Sequence, residues 1–289
     1  IRCVDINSAY PFAMTKDHPY GKNYYEVSKE SEVSGPMFVQ CSHANGNGVE
    51  NITGWEYLQD PSRYNFVRAY DFVERINFKE YVYTHYEKKK RSKLCGDKAQ
   101  YLFSKLMLNS LYGKFAQNPA KFKDWYIVCG KKGIRDDENF QCEVGTDKLL
   151  VWKNCKKIGR YFNVATAASI TGFVRAMVKD ASSKVDTPLY CDTDSLFYMG
   201  KGDGIKVGDG LGEWEVEGRF DSIAIAGKKL YSARNVKGGY KIATKGCNLQ
   251  PEEIYKVSKG EEVVYKHPVP VYNMGKEIGF IQRRISRTV

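Results

Sequence analysis

Residues 190–195 read Tyr-Cys-Asp-Thr-Asp-Ser, with Pro188 and Leu189 before and Leu196, Phe197 and Tyr198 after. The pattern predicts two strands meeting at a tight acidic turn. Asp192 and Asp194 are two positions apart, so on extended backbone their side chains point to one side. Carboxylates held that close resist joint ionisation. A divalent cation removes the repulsion, and Mg²⁺ prefers carboxylate oxygens. The alternative is a solvated Asp-x-Asp turn, and the rest of the chain has to decide.

A predicted helix from about Asp97 to Phe115 carries Lys105, Asn109 and Tyr112 at i, i+4 and i+7, hence on one face. Lys93 joins that face only if the helix reaches back past Gly96. Ammonium groups, an amide and a phenol suit a triphosphate and a base. Gly113 argues against a merely solvated helix, because mid-helix Gly costs about 1 kcal/mol unless something must come close. The first strand, residues 1–7, ends in Asp5-Ile6-Asn7-Ser8. If it lies beside the acidic hairpin, Asp5 and Asp192 could bridge two cations about 3.5–4 Å apart, the arrangement for in-line phosphoryl displacement. One cation would activate a 3′-hydroxyl and the other would hold a triphosphate.

The elements that must position these groups follow from periodicity and breakers. A turn or short helix is expected around Tyr10–Met14 and mixed structure over 15–65. Helix is expected over 66–90, running into Glu87-Lys88-Lys89-Lys90-Arg91-Ser92-Lys93. Short strands with polar turns fill 120–155. A helix rich in small residues (Ala165, Ala168, Ser169, Gly172) spans 163–181 and can pack closely. Exposed strands follow Gly212 and bracket Gly238-Gly239. A helix is expected over Pro251–Ser258, and the tail from Val263 is β-like and basic.

The 289 residues, 42% hydrophobic, are enough for one large domain or two modest ones. The net charge of +11 favours polyanionic partners. No apolar run approaches the roughly 20 residues of a membrane helix, and no signal or transit peptide is seen. A core-like strand at the first residue, without an initiator Met, suggests a piece of a longer protein. None of the eight Cys forms a Cys-x-x-Cys pair, so free thiols in a reducing compartment are expected. The even spacing of Cys129, Cys142 and Cys155 matches no metal finger.

Three blocks resemble the family B DNA polymerases: Asp5-Ile6-Asn7-Ser8-Ala9-Tyr10-Pro11 motif A, Lys105 to Phe115 motif B, and Tyr190 to Ser195 motif C. Their order agrees too, and the closest likeness is to the protein-primed subgroup of phages and linear plasmids. Leu211-Gly212-x-Trp214 followed by Lys229-Leu230-Tyr231 resembles that subgroup's primer-contacting Lys-x-Tyr motif.

The resemblance implies an α+β right-hand polymerase fold, with an antiparallel palm sheet, helical fingers and a small β-rich thumb. The implied parts are palm 1–14 and 158–235, a terminal-protein-region-like insertion 15–92, fingers 93–117, a processivity and strand-displacement insertion 118–157, and thumb 236–289. It implies a template-directed DNA polymerase core, adding dNTPs to a primer or protein hydroxyl and replicating a viral or linear mobile-element genome. Asp5, Asp192 and Asp194 would be catalytic. Asp5, the Ile6 carbonyl and Asp192 would bind two Mg²⁺, with Mn²⁺ as a substitute. Ser8, Tyr10, Lys93, Lys105, Asn109 and Tyr112 would bind nucleotide, with Tyr10 as the steric gate against a 2′-hydroxyl. Ser110, Gly113, Thr193, Ser195, Lys229 and Tyr231 would contact primer or DNA. Lys241, Lys245, Arg283 and Arg284 would be available to backbone phosphates.

The implied partners are primer-template DNA, dNTPs and a terminal protein, with no membrane and a monomeric enzyme. The expected setting is intracellular and reducing: host cytoplasm, or else nucleus or mitochondrion. Ala9 stands where the family more often has Leu, and no 3′–5′ exonuclease motif is visible. Two other readings remain: a self-priming member of the family, and a catalytically inactive nucleic-acid-binding subunit.

Overall fold

The structure, a computed structural model, describes residues 1–46, 48–154, 159–269 and 279–286. In chain order, β1 (Arg2–Ile6) leads into the short helix α1 (Ala9–Met14). Then come β2 (His18–Val27), β3 (Phe38–His43), β4 (Val49–Thr53), α2 (Gly54–Tyr57) and β5 (Tyr64–Ile76). The helices α3 (Lys79–Leu94) and α4 (Lys98–Phe115) precede β6 (Lys123–Cys129), β7 (Asn139–Gly145) and β8 (Lys148–Asn154). Helix α5 (Val164–Ser183) leads to β9 (Thr187–Asp192), β10 (Ser195–Met199), β11 (Trp214–Gly227), β12 (Leu230–Asn235) and β13 (Tyr240–Thr244). Last come α6 (Pro251–Ser258), β14 (Val263–Val269) and β15 (Gly279–Ile285). The α+β composition is the expected one.

The chain divides into two units, Ile1–Ala9 with Val174–Val289, and Tyr10–Phe173. The first is built on a six-stranded sheet of order β13-β12-β11-β1-β10-β9. Every neighbouring pair in it is antiparallel. One cluster of this unit buries Cys3, Phe197, Phe220, Tyr231 and Ala233. A second packs Ala226 and Leu230 with Ile254 and Val257 of α6. Helix α6 starts where the sequence places it: Pro251 needs no N–H in a first turn, and Gln250 and Glu253 close a capping box.

The second unit holds a four-stranded sheet β2-β5-β3-β4, a three-stranded sheet β6-β8-β7 and the α3–α4 pair. Residues 66–76 are strand, not the expected helix. β5 is the central partner of both β2 and β3, and its Phe66, Val67, Tyr70, Phe72 and Val73 are strand formers. Helices α3 and α4 are separate. Gly96, in the left-handed region at φ +72°, breaks the chain, and Asp97 caps α4 by accepting from the Gln100 N–H at 2.9 Å. Such a cap contributes about 1 kcal/mol. Helix α5 approaches α2 closely, since a Cβ on Gly172 would meet Thr53 Oγ1 at 2.3 Å.

Two expected domain boundaries cut through elements. Position 93 lies inside α3, and position 236 lies inside the β12–β13 hairpin, whose second strand is hydrogen-bonded into the six-stranded sheet. The seven described cysteines are free thiols, Cys129 exposed and Cys142 half-buried. Cys155 falls outside the described residues. No described helix is long and apolar enough to cross a membrane.

Candidate active site

The acidic hairpin forms as the flanking residues require. Ser195 opens β10 directly opposite Asp192 at the end of β9, leaving Thr193 and Asp194 as a two-residue loop. Asp192 and Asp194 therefore share a tight turn and not one face of a strand. The alternation argument fails here because the chain reverses between them. Thr193 takes φ +64°, an uncommon conformation for a non-glycine residue that costs about 1–2 kcal/mol. The turn is tied internally by Asp194 N–H to Asp192 C=O at 2.8 Å and Ser195 Oγ to Asp192 C=O at 3.2 Å.

Register brings the first strand to this turn. Asp5 of β1 lies opposite Ser195, which lies opposite Asp192. Directly paired residues share a face, so Asp5, Ser195 and Asp192 form one row across three strands. Two strand spacings separate the outer pair, roughly 10 Å between Cα atoms. The Ile6 N–H reaches the Asp194 carbonyl at 2.9 Å, which fixes the loop to the end of β1. On the other flank Asn7 N–H bonds Glu213 C=O at 2.9 Å, Gly212 N–H bonds Asn7 C=O at 2.9 Å, and Asn7 Nδ2 bonds Asp209 C=O at 2.7 Å. Ser8, held in this turn, has φ +56°.

Burial pushes the Asp5 carboxyl up to about 7, with the Asp194 charge as the next cause. Asp194 is raised as well, first by burial and then by Asp192. Lys229 stands against Asp192: its ammonium pairs with Oδ1 and reaches Thr193 Oγ1 at 3.2 Å. The Lys229 backbone has φ +57°, and its N–H donates to the Tyr190 hydroxyl at 2.8 Å. Tyr231 is 5% exposed, its ring 5.2 Å from those of Tyr190 and Phe197. Its ring is thus part of the core beneath the Tyr190–Lys229 contact, a placement the sequence did not signal. The Lys229–Asp192 pair is likewise invisible in sequence, 37 positions apart.

Around these acids the donors are hard carboxylate oxygens, the set that suits Mg²⁺. Among the described residues no three His, Cys, Asp or Glu side chains already form a metal cage. Carboxylates raised by burial and by neighbouring negative charge gain from such a cation.

The nucleotide-binding candidates of the second unit gather on α1, α3 and α4. On α4 Lys105 and Asn109 are exposed and Tyr112 is half-buried, flanking the side of the helix that buries Ser104, Leu108 and Phe115. Tyr112 stacks on Tyr10 of α1, with ring centroids 4.2 Å apart and planes within 4°. Lys93 is on α3, and the helix break at Gly96 leaves the condition for its joining the Lys105 face unmet. Ser110 is exposed, its hydroxyl donating to the Met107 carbonyl at 3.4 Å. Nothing described lies within 4 Å of a Cβ built on Gly113, so the chain itself supplies no close approach there.

Comparison with known proteins bears on the family and the fold. Residues 58–200 match the family described as DNA polymerase type B, organellar and viral. A DNA-directed DNA polymerase of Enterobacteria phage PRD1 is 30% identical over 342 aligned positions, covering 100% of this chain and 61% of the phage protein. A probable DNA polymerase of Ascobolus immersus is 28% identical over 235 positions, covering 68% of this chain and 19% of its own. The chain thus spans less than two thirds of either relative. The solved structure of Phi29 DNA polymerase complexed with primer-template DNA superposes with a TM-score of 0.70 at 18% identity, over 99% of this chain and 57% of that one. The fold is therefore the α+β fold of that polymerase. The chain is therefore similar to the organellar and viral type B DNA polymerases, over about half of its length by the family match and over all of it by the phage relative.

Proposed function

We propose that the chain is the polymerisation core of a template-directed, protein-primed DNA polymerase that adds dNTPs to a 3′-hydroxyl or a protein hydroxyl. The observation that carries this reading is the Asp5–Ser195–Asp192 row, with Asp194 at its turn. In this reading the six-stranded sheet is the palm, α3 and α4 the fingers, and β14–β15 belong to the thumb. Residues 15–78 and 118–157 are the two insertions.

Asp5 and Asp192, with the Ile6 carbonyl, would hold the two Mg²⁺ ions. When bound, such ions supply an activated 3′-hydroxyl and a neutralised triphosphate. Asp194 braces the end of β1 through its carbonyl and keeps negative charge beside Asp5. Lys229 balances Asp192 and, with Thr193 and Ser195, belongs to the primer side, while the buried Tyr231 ring supports Tyr190 from the core. Lys105 and Lys93 neutralise triphosphate oxygens, and Ser8 lies at the phosphate tail. Asn109 and Tyr112 line the base pair, with Ser110 and Gly113 on the DNA side. Tyr10 excludes a 2′-hydroxyl. The setting proposed is intracellular and reducing, in agreement with the free thiols.

The test offers the full-length protein a template, Mg²⁺ and dNTPs, with a DNA primer and separately without one. Primer-dependent extension, together with primer-free product only when a protein carrying the priming hydroxyl is added, is the expected result. Free product without any primer would favour the self-priming reading. Failure to extend the primer would overturn the assignment in favour of the inactive subunit.

A further inference from the structure

Helix α1 has six residues, far too few to hold itself in water. Its position is therefore set by what touches it. At its start, the Tyr10 ring lies on Tyr112. Near its end, the Ala13 carbonyl accepts from Lys16 N–H at 2.9 Å and meets His18 Nε2 at 2.8 Å. The other ring nitrogen, Nδ1, lies 2.9 Å from Ser169 Oγ on α5. Trp55 Nε1, which can only donate, reaches the same hydroxyl at 3.1 Å.

These roles admit one direction. The Trp55 N–H fills an acceptor site on Ser169, and a carbonyl cannot donate to His18. The ring therefore donates from Nε2 to Ala13, and Ser169 donates to Nδ1. The chain runs Trp55 to Ser169 to His18 to Ala13, with every donor and acceptor matched. His18 is 0% exposed and Ser169 1% exposed. Burial holds the imidazole down at about 4, so the neutral tautomer persists at ordinary pH. Thr166 Oγ1 clamps the next residue by donating to the Pro19 carbonyl at 2.7 Å. Phe12 of α1 packs on Phe173, which meets the Trp55 ring edge-on at 5.0 Å.

Ala13 lies about one turn beyond Tyr10, so a tilt at the His18 contact displaces the ring above it. We propose that His18, oriented by Ser169, is a positioning residue for the Tyr10 ring and so sets discrimination between deoxy- and ribonucleotides. The proposal rests on the polymerase reading above and deepens it. Neither residue belongs to the three motif blocks.

The experiment compares wild type, His18→Leu, His18→Gln and Ser169→Ala as full-length proteins. It measures the dNTP-to-rNTP ratio of kcat/KM on a primed template, alone and combined with Tyr10→Val. A glutamine amide carries an acceptor and a donor on one carbon, as the two ring nitrogens flank theirs. His18→Leu is expected to lower the ratio roughly tenfold, Ser169→Ala less, and His18→Gln to retain most of it. In the Tyr10→Val background, His18→Leu should change the ratio no further. An unchanged ratio in a folded His18→Leu, or full additivity with Tyr10→Val, would overturn the proposal. If His18→Leu does not fold, Ser169→Ala and His18→Gln carry the same comparison. Long-range ¹H–¹⁵N correlation of the imidazole gives a readout without turnover: a neutral Nε2–H ring at pH 6 is expected, and an Nδ1–H or protonated ring contradicts the chain. Wild type that fails to extend a primer would count against the polymerase reading, while the imidazole spectrum still judges the hydrogen-bond chain.

Discussion

The acidic end of the six-stranded sheet and the Lys105 face of α4 are built in opposite ways. Asp5 and Asp192 sit at strand ends whose register is fixed by hydrogen-bonded neighbours. Asp192 already has a cation, Lys229, and Asp194 is tied through its backbone to Ile6. The strained turns at Ser8 and Thr193 are held by those ties. Lys105 and Asn109 are exposed, and Lys105 makes no ion pair among the described residues. The difference separates groups that must keep their mutual geometry from groups ordered by what they bind. Lysine side chains carry about 2 kcal/mol of rotamer entropy, which a bound triphosphate can offset and empty solvent cannot.

The largest expected effect follows from the rigid region. Asp192→Asn should lower Mg²⁺-dependent incorporation by about a thousandfold or more, while primer-template affinity by fluorescence anisotropy changes little. Equal activity would remove the acids from the chemistry and erase the contrast. Lys105→Ala should act differently, raising the dNTP KM about ten- to a hundredfold with a stability change within about 0.5 kcal/mol. A large drop in Tm with an unchanged KM would show that α4 is a structural face after all.

The smallest effect concerns pH. The folded-state pKa of His18 is depressed to about 4, so the unfolded chain binds the proton more readily. Stability is therefore lost as pH falls from about 6.5 toward 4, by roughly 3 kcal/mol in total. Asp5 has the opposite sign: its folded pKa is raised to about 7, so the metal-free protein loses stability as pH rises from about 4 through 7. Denaturant titrations of His18→Gln and Asp5→Asn across that range separate the two slopes. Identical slopes in both variants and the parent would contradict the assignment.

What the sequence disclosed depends on how local the cause is. The hairpin at Asp192–Ser195, the capped helix Pro251–Ser258 and the strands around Gly238-Gly239 follow from neighbours in the chain, and their positions are as expected. β5 is strand where helix is expected, because its pairing with β2 and β3 involves residues distant in the chain. Lys93 would share the Lys105 face only in a helix continuous across Gly96, and the two helices are separate. The Asp192–Asp194 geometry departs from strand alternation because the chain reverses between them. Lys229 beside Asp192, Tyr231 in the core and the His18–Ser169 contact are tertiary, and no periodicity encodes them. The motif residues were legible by type; their partners were not.

The most direct measurement is a crystal structure of the full-length protein with primer-template DNA, a non-hydrolysable dNTP analogue and Mg²⁺. The account predicts two cations, with carboxylate oxygens of Asp5 and Asp192 among their ligands and the triphosphate completing them. Cations bound elsewhere, or an Asp5 carboxylate turned away from both, would contradict it.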